Sequence, residues 1–403
     1  MTNAAPAETR VASAMPHRFP WTPILILGVA WFLAVAVELG PSGLLNAIAR
    51  DLQVSVAAAG TLTTFYALGN AVLVLPLTSF ALRFSRRPVL AVVMVALAAS
   101  TAAVAVAPSL VAADAGRFVG GASYALICTL FPAVVLRIAG PGNGGKALTV
   151  VFTATSLGTA FGAPIASLVG TAVGWRPTFL GAAALIAIAG ALMWFVVPAV
   201  RDHREETLGL LRTLRLPGVL RTAIAWSLTM LAHFAVLTYI DAYLERLGTP
   251  VYVTSITLAV TGVGGIIGTI LIGRVSARSF HGAMLVAPGA VAAGLLVVVA
   301  ASDNVPVLLA GVLIWGAGLA ATVVVYQQGL LIVGARAPET ATSVGVLLAQ
   351  VGFAAGATVG GITIDVAGVQ SIPVVALVFV AASLTLALTL RPTLRHANPS
   401  AHL

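Results

Sequence analysis

Apolar residues run almost unbroken for twenty or more positions at a time from near residue 22 to near residue 390, with short polar gaps between the runs. A bilayer core of about 30 Å needs about 20 consecutive apolar residues in a helix, so each run is long enough to cross one. The runs fall at about 22–46, 57–82, 88–107, 109–137, 146–172, 176–199, 219–243, 252–273, 283–301, 304–334, 339–366 and 370–390. They predict an all-α membrane protein of twelve transmembrane helices. Residues 1–21 and 391–403 are predicted tails. The longest polar gap, 200–218, is a predicted linker between six spans at 22–199 and six at 219–390.

Charge then sets orientation. Basic loops resist translocation, so the side richer in Lys and Arg is cytoplasmic. Of the 21 basic residues, 17 fall in alternate gaps or in the tails: Arg10, Arg18, Arg83, Arg86, Arg87, Arg137, Lys146, Arg201, Arg204, Arg212, Arg215, Arg221, Arg274, Arg278, Arg336, Arg391 and Arg395. The opposite side keeps Arg50, Arg176 and Arg246, while Arg117 lies inside a span. Both termini are therefore expected to be cytoplasmic. Ala34-Val-Ala36 resembles a signal-peptidase site, but cleavage there would leave eleven spans and break the alternation. Twenty arginines against one lysine, with abundant Ala and Val, suggest a GC-rich bacterium and hence its inner membrane.

Composition removes several function classes. Hydrophobic residues at 60% and charged residues at 8% exclude a soluble domain, in which about a quarter of residues are charged. The basic balance is explained by topology, and no loop is long enough for a nucleic-acid patch. The single cysteine, Cys128, cannot form an intrachain disulfide, and no Cys/His spacing suggests a metal. Neither His-Glu-x-x-His nor Gly-x-Ser-x-Gly occurs, which disfavours an intramembrane enzyme. The tails are short for a sensor's output domain.

The two halves are related. Gly158, Gly162, Ala166 and Gly170 recur as Gly352, Gly356, Gly360 and Ile364, all at an offset of 194, and Ala147 and Gly174 meet Ala341 and Gly368 at the same offset. Arg83-Phe-Ser-Arg86-Arg87 and Arg274-Val-Ser-Ala-Arg278 are offset by 191. Six spans separate the copies, so both have one orientation in the membrane. Two parallel six-helix bundles around a central axis are the architecture of the major facilitator superfamily, with substrate bound between them.

The chain resembles that superfamily, and within it the twelve-span drug:proton antiporters such as arabinose-efflux-like and chloramphenicol-resistance-like exporters. Arg83, Arg86 and Arg87 resemble the family's basic loop after span two, with Leu82 where an Asp usually stands; topology alone would also account for them. Arg117-Phe-Val-Gly-Gly121 is similar to an Arg-x-x-x-Gly motif in span four. Gly158-x-x-x-Gly162-Ala-Pro164 resembles the antiporter motif of span five, although close helix packing is sufficient reason for it. Glu38-Leu-Gly-Pro-Ser-Gly43 is similar to the branch's acidic segment in span one. The resemblance implies proton-coupled efflux by a monomer, with the proton gradient in place of any cofactor.

Few residues could carry that chemistry. A carboxyl in a low-dielectric site is costly to ionise, so it can load and release a proton as its exposure alternates. Glu38 is the first candidate, the alternative being a merely water-facing carboxylate. Asp114 shares a helix face with Arg117 and is its expected partner, either as a structural ion pair or as a gating relay. Asp241 and His233 in span seven complete the proton-coupling candidates; a solvated helix end and a packing histidine are their plainer readings. Candidates to line a substrate cavity are Tyr66, Asn70, Tyr124, Trp226, Tyr239, Trp315, Tyr326, Gln327, Gln328 and Gln350, most of which could equally be core. The expectation is a secondary transporter expelling a small organic molecule; the rival is a symporter or facilitator importing a nutrient.

Overall fold

The structure is a computed structural model that describes residues 19–81, 83–140, 143–197, 210–250, 252–301 and 304–390. Residues 1–18 of the expected N-terminal tail, the expected C-terminal tail, most of the 200–218 linker and Leu82 lie outside the described residues. Among the described residues, twelve helices are long and apolar enough to cross a membrane: Trp21–Gly43, Val56–Val74, Arg86–Val106, Leu110–Ala139, Lys146–Val173, Trp175–Val196, Val219–Thr238, Tyr252–Arg278, Phe280–Ala300, Val305–Val333, Thr340–Ala367 and Val369–Leu388. They are called spans one to twelve below. Helix is the form that satisfies every backbone polar group within lipid. Large apolar side chains such as Val111, Phe195 and Val366 point outward, the reverse of a water-soluble surface.

Several spans begin on a side-chain cap. The Ser109 hydroxyl accepts from Ala112 N–H, Ser279 from Gly282 N–H and the Asn304 amide oxygen from Val307 N–H. Spans five and eleven both end on a glycine with positive φ, Gly174 at 92° and Gly368 at 82°. That backbone is one a side chain would strain.

Packing repeats with a displacement of six. Span one lies on five and seven on eleven; two on four and eight on ten; three on six and nine on twelve. The repeated glycines explain the first pair. A Cβ on Gly158 would meet Phe32 and Val35 and one on Gly162 would meet Ala36, whereas one on Gly352 would meet Ser227 and one on Gly356 Leu231 and Ala235. Gly360 faces Ala235 and Tyr239 in the same way. These glycines hold spans together inside each bundle. Between bundles, span two packs on eleven and span five on eight.

In two spans the α-helix breaks inside the predicted apolar run. Span one stops as an α-helix at Leu39, turns through Gly40–Gly43 in a 3-10 turn and resumes as a short helix, Leu45–Asp51. Pro41 causes this break, because it has no N–H to continue the helix. Span seven stops at Thr238, and Tyr239 leads into a separate helix, Ile240–Arg246. Both breaks lie at the membrane face opposite residues 19 and 390, called here the far face.

Candidate functional site

The two short helices meet at the far face. Asn46 N–H donates to Asp241 Oδ2 at 3.2 Å, the Asn46 side-chain amide donates to Glu245, and Arg50 lies 3.7 Å from Glu245. The Thr254 hydroxyl donates to the other Asp241 oxygen at 3.0 Å. Beneath this latch, the Tyr239 hydroxyl donates to Ala357 O at 2.8 Å and reaches Ala57 O at 3.3 Å, so one side chain just after span seven touches both bundles. It occupies a slot over Gly60, where any Cβ would collide with its ring. Ser255 bonds Ser167 at 2.9 Å, and Thr64 bonds Thr358 at 3.2 Å. These bonds close the far half of the seam between the bundles.

Asp241 is thus part of a latch across the seam rather than a free helix end. Burial pushes its carboxyl up from the ordinary range, against the lowering effect of the bonds from Asn46 and Thr254. The sign follows from linkage. The closed latch holds the higher pKa, so closure is fully favoured below the ordinary carboxylate value of about 3.9 and that preference is lost as pH rises through the raised one. The distance between spin labels on helices Leu45–Asp51 and Ile240–Arg246 should therefore lengthen as pH rises across this window. In Asp241→Asn it should not respond.

Deeper along the seam lies the carboxyl expected from the sequence. Glu38 is buried in the last turn of the α-helix of span one, close to Tyr124 of span four and Gln350 of span eleven. It therefore lies near residues of both bundles. Arg117 lies beside it and is fully enclosed, but is not paired with Asp114. Its Nη1 donates to Val37 O at 2.8 Å, Nη2 to Glu38 O at 2.8 Å and Nε to Leu62 O at 3.0 Å. Asp114 instead accepts from the Thr61 hydroxyl at 2.8 Å, and its Oδ1 has no partner among the described residues. The expected ion pair is corrected for a physical reason. Pro41 cannot donate to Val37 O four residues earlier, and the guanidinium supplies the missing donor. Pro41 was the sequence signal for this contact. The guanidinium also stacks on Tyr66, 4.0 Å from its ring centroid, and Tyr66 lies 5.9 Å from Tyr124.

The C-terminal bundle answers with aromatics. His233 packs 5.1 Å from Trp315 and 4.8 Å from Phe234, and Phe234 stacks on Phe353, which meets Ala67 of span two. Trp226, two turns before His233, is also buried, and its indole N–H has no partner among the described residues. Asn70 is buried against Gly121 of span four. Other candidates do not join this group. Tyr239 belongs to the far-face seam, and Tyr326 is bundle core with its hydroxyl 3.4 Å from Met284 O. Gln327 is half-buried and Gln328 exposed.

The basic loop is split by function. Arg87 donates to Val197 O at 2.7 Å and so ties span three to the end of span six. Arg86 is buried and Arg83 exposed. Pro164 sits inside span five between its packed glycines. No group of three or more His, Cys, Asp and Glu side chains suited to a metal occurs among the described residues.

Residues 24–347 match the pattern of the Major Facilitator Superfamily. The chain belongs to that superfamily. As a Major Facilitator Superfamily protein it is a membrane transporter and not an enzyme. It is 30% identical over 359 residues to a chloramphenicol efflux pump of Mycobacterium tuberculosis, covering 85% of this chain and 87% of that protein. It is 29% identical over 363 residues to the inner membrane transport protein YdhP of Escherichia coli, covering 87% and 91%. Its fold matches a crystal structure of a bacterial homologue of the human lysosomal transporter Spinster, in an inward-facing and unoccupied conformation, with a TM-score of 0.75. That match covers 93% of this chain and 97% of the other at 15% identity, and so speaks to the fold alone.

Proposed function

We propose that this transporter exports a small organic molecule from a bacterial cytoplasm in exchange for protons, as a monomer whose two bundles rock about the seam. The observation that carries the proposal is Glu38: a buried carboxyl in a span, with Tyr124 of its own bundle and Gln350 of the other close by. A carboxyl so placed gains or loses its proton according to which bundle contacts are made, which links protonation to rocking. The Mycobacterium relative favours efflux, and chloramphenicol is accordingly the first compound to test. The distribution of basic residues favours cytoplasmic termini, so the closed far face would be the external one.

The test is transport in everted membrane vesicles acidified inside. Labelled chloramphenicol is expected to accumulate while the pH gradient stands and to leak away when an ionophore collapses it. Accumulation driven by a gradient of the opposite sign would establish import instead. Accumulation indifferent to any gradient would remove proton coupling.

A further inference from the structure

We propose that His233 and Trp315 form a subsite that reads a hydroxyl group on the transported molecule, so that the cargo is a neutral aromatic alcohol rather than an acid or a plain hydrocarbon. This rests on the transport function proposed above and specifies its substrate class. His233 is 3% exposed and Trp315 fully buried, their rings are 5.1 Å apart, and His233 Nδ1 and Trp315 Nε1 both lack a hydrogen-bond partner among the described residues. A buried polar atom left without a partner destabilises the fold. Two on neighbouring rings, beside Phe234, make a candidate site for a polar group.

The chemistry of that group follows from the donors. Trp Nε1–H can only donate, whereas a neutral imidazole Nδ1 accepts or donates according to tautomer. A hydroxyl satisfies both cases, since it accepts from the indole and either donates to a bare Nδ1 or accepts a second bond from Nδ1–H. A carbonyl fits only one tautomer. Phe234 and Phe353 run from His233 to Ala67 of the other bundle, so a ring attached to the hydroxyl has an apolar face leading to the seam. The only charged side chains buried among the described residues are Glu38, Arg86, Asp114 and Arg117, and Arg117 is already committed to three carbonyls. A free cation to receive an acid is therefore missing from the middle of the seam among the described residues.

The test uses purified full-length protein, with chloramphenicol and its analogues lacking one or the other hydroxyl as probes. Wild type is expected to bind at least one analogue about tenfold more weakly than the parent, the effect of leaving the buried pair unmatched. His233→Phe and Trp315→Phe should bind parent and analogue alike, while His233→Asn, which keeps a polar atom near Nδ1, should retain part of the preference. Equal binding of all three compounds by wild type, or an unchanged preference in both Phe variants, would overturn the subsite. If chloramphenicol itself does not bind, its choice as cargo fails, and ligand-free stability decides the subsite separately. The single variant His233→Leu, close to histidine in volume, should then unfold at or above the wild-type temperature, because a buried unmatched polar atom is gone. Unfolding below it would show that His233 is satisfied internally and would end the proposal.

Discussion

Arg117→Met is expected to be the most damaging single substitution in the N-terminal bundle. It removes three charge-assisted bonds that join span four to spans one and two, and it returns Val37 O to the unmatched condition that Pro41 imposes. Bonds to a charged group contribute about 1.5–3 kcal/mol each, and losses at one site are not additive, so a drop of at least about 3 kcal/mol is expected. Thermal unfolding of the purified protein measures it. Arg117→Lys should recover only part of the loss, because a single ammonium cannot reproduce the planar fork that serves three carbonyls. Wild-type stability in Arg117→Met would mean that the guanidinium serves transport alone.

Glu38→Gln is expected to do the opposite, leaving the fold intact and disabling the energy coupling. Glutamine matches the carboxyl in size and can still meet Tyr124 and Gln350, but it cannot carry a titrating proton. Accumulation driven by a pH gradient should fall to the level seen with no gradient, while binding of substrate and its downhill exchange persist. Vesicles made with the variant decide the matter, and gradient-driven accumulation at the wild-type rate would move the coupling site elsewhere. Unlike Arg117→Met, this variant should unfold at the wild-type temperature.

Parts of this arrangement were legible in the sequence for definite reasons. Span number and the parallel repeat are one-dimensional properties, carried by run length and by glycines at a constant offset. Glu38 stood out because a lone acid in an apolar run needs an explanation. The Arg117 contacts were misread because spacing along one helix shows which residues share a face, as Asp114 and Arg117 do, but not what faces them from the next helix. The latch was beyond reach: Asn46 and Asp241 are 195 positions apart, and nothing in either short polar stretch names the other. Both helix breaks were also hidden, since Gly40-Pro-Ser-Gly43 and Tyr239 sit within apolar sequence that hydropathy treats as continuous.

The latch also bears on pharmacology. Arg50 and Glu245 are largely exposed where the two short helices meet, one from each half of the chain. On the orientation proposed here, that junction faces the outside of the cell. An antibody fragment or cyclic peptide gripping both helices would hold the halves together and stop the cycle without crossing a membrane or competing with cargo. Such a blocker would be too large to be carried as cargo.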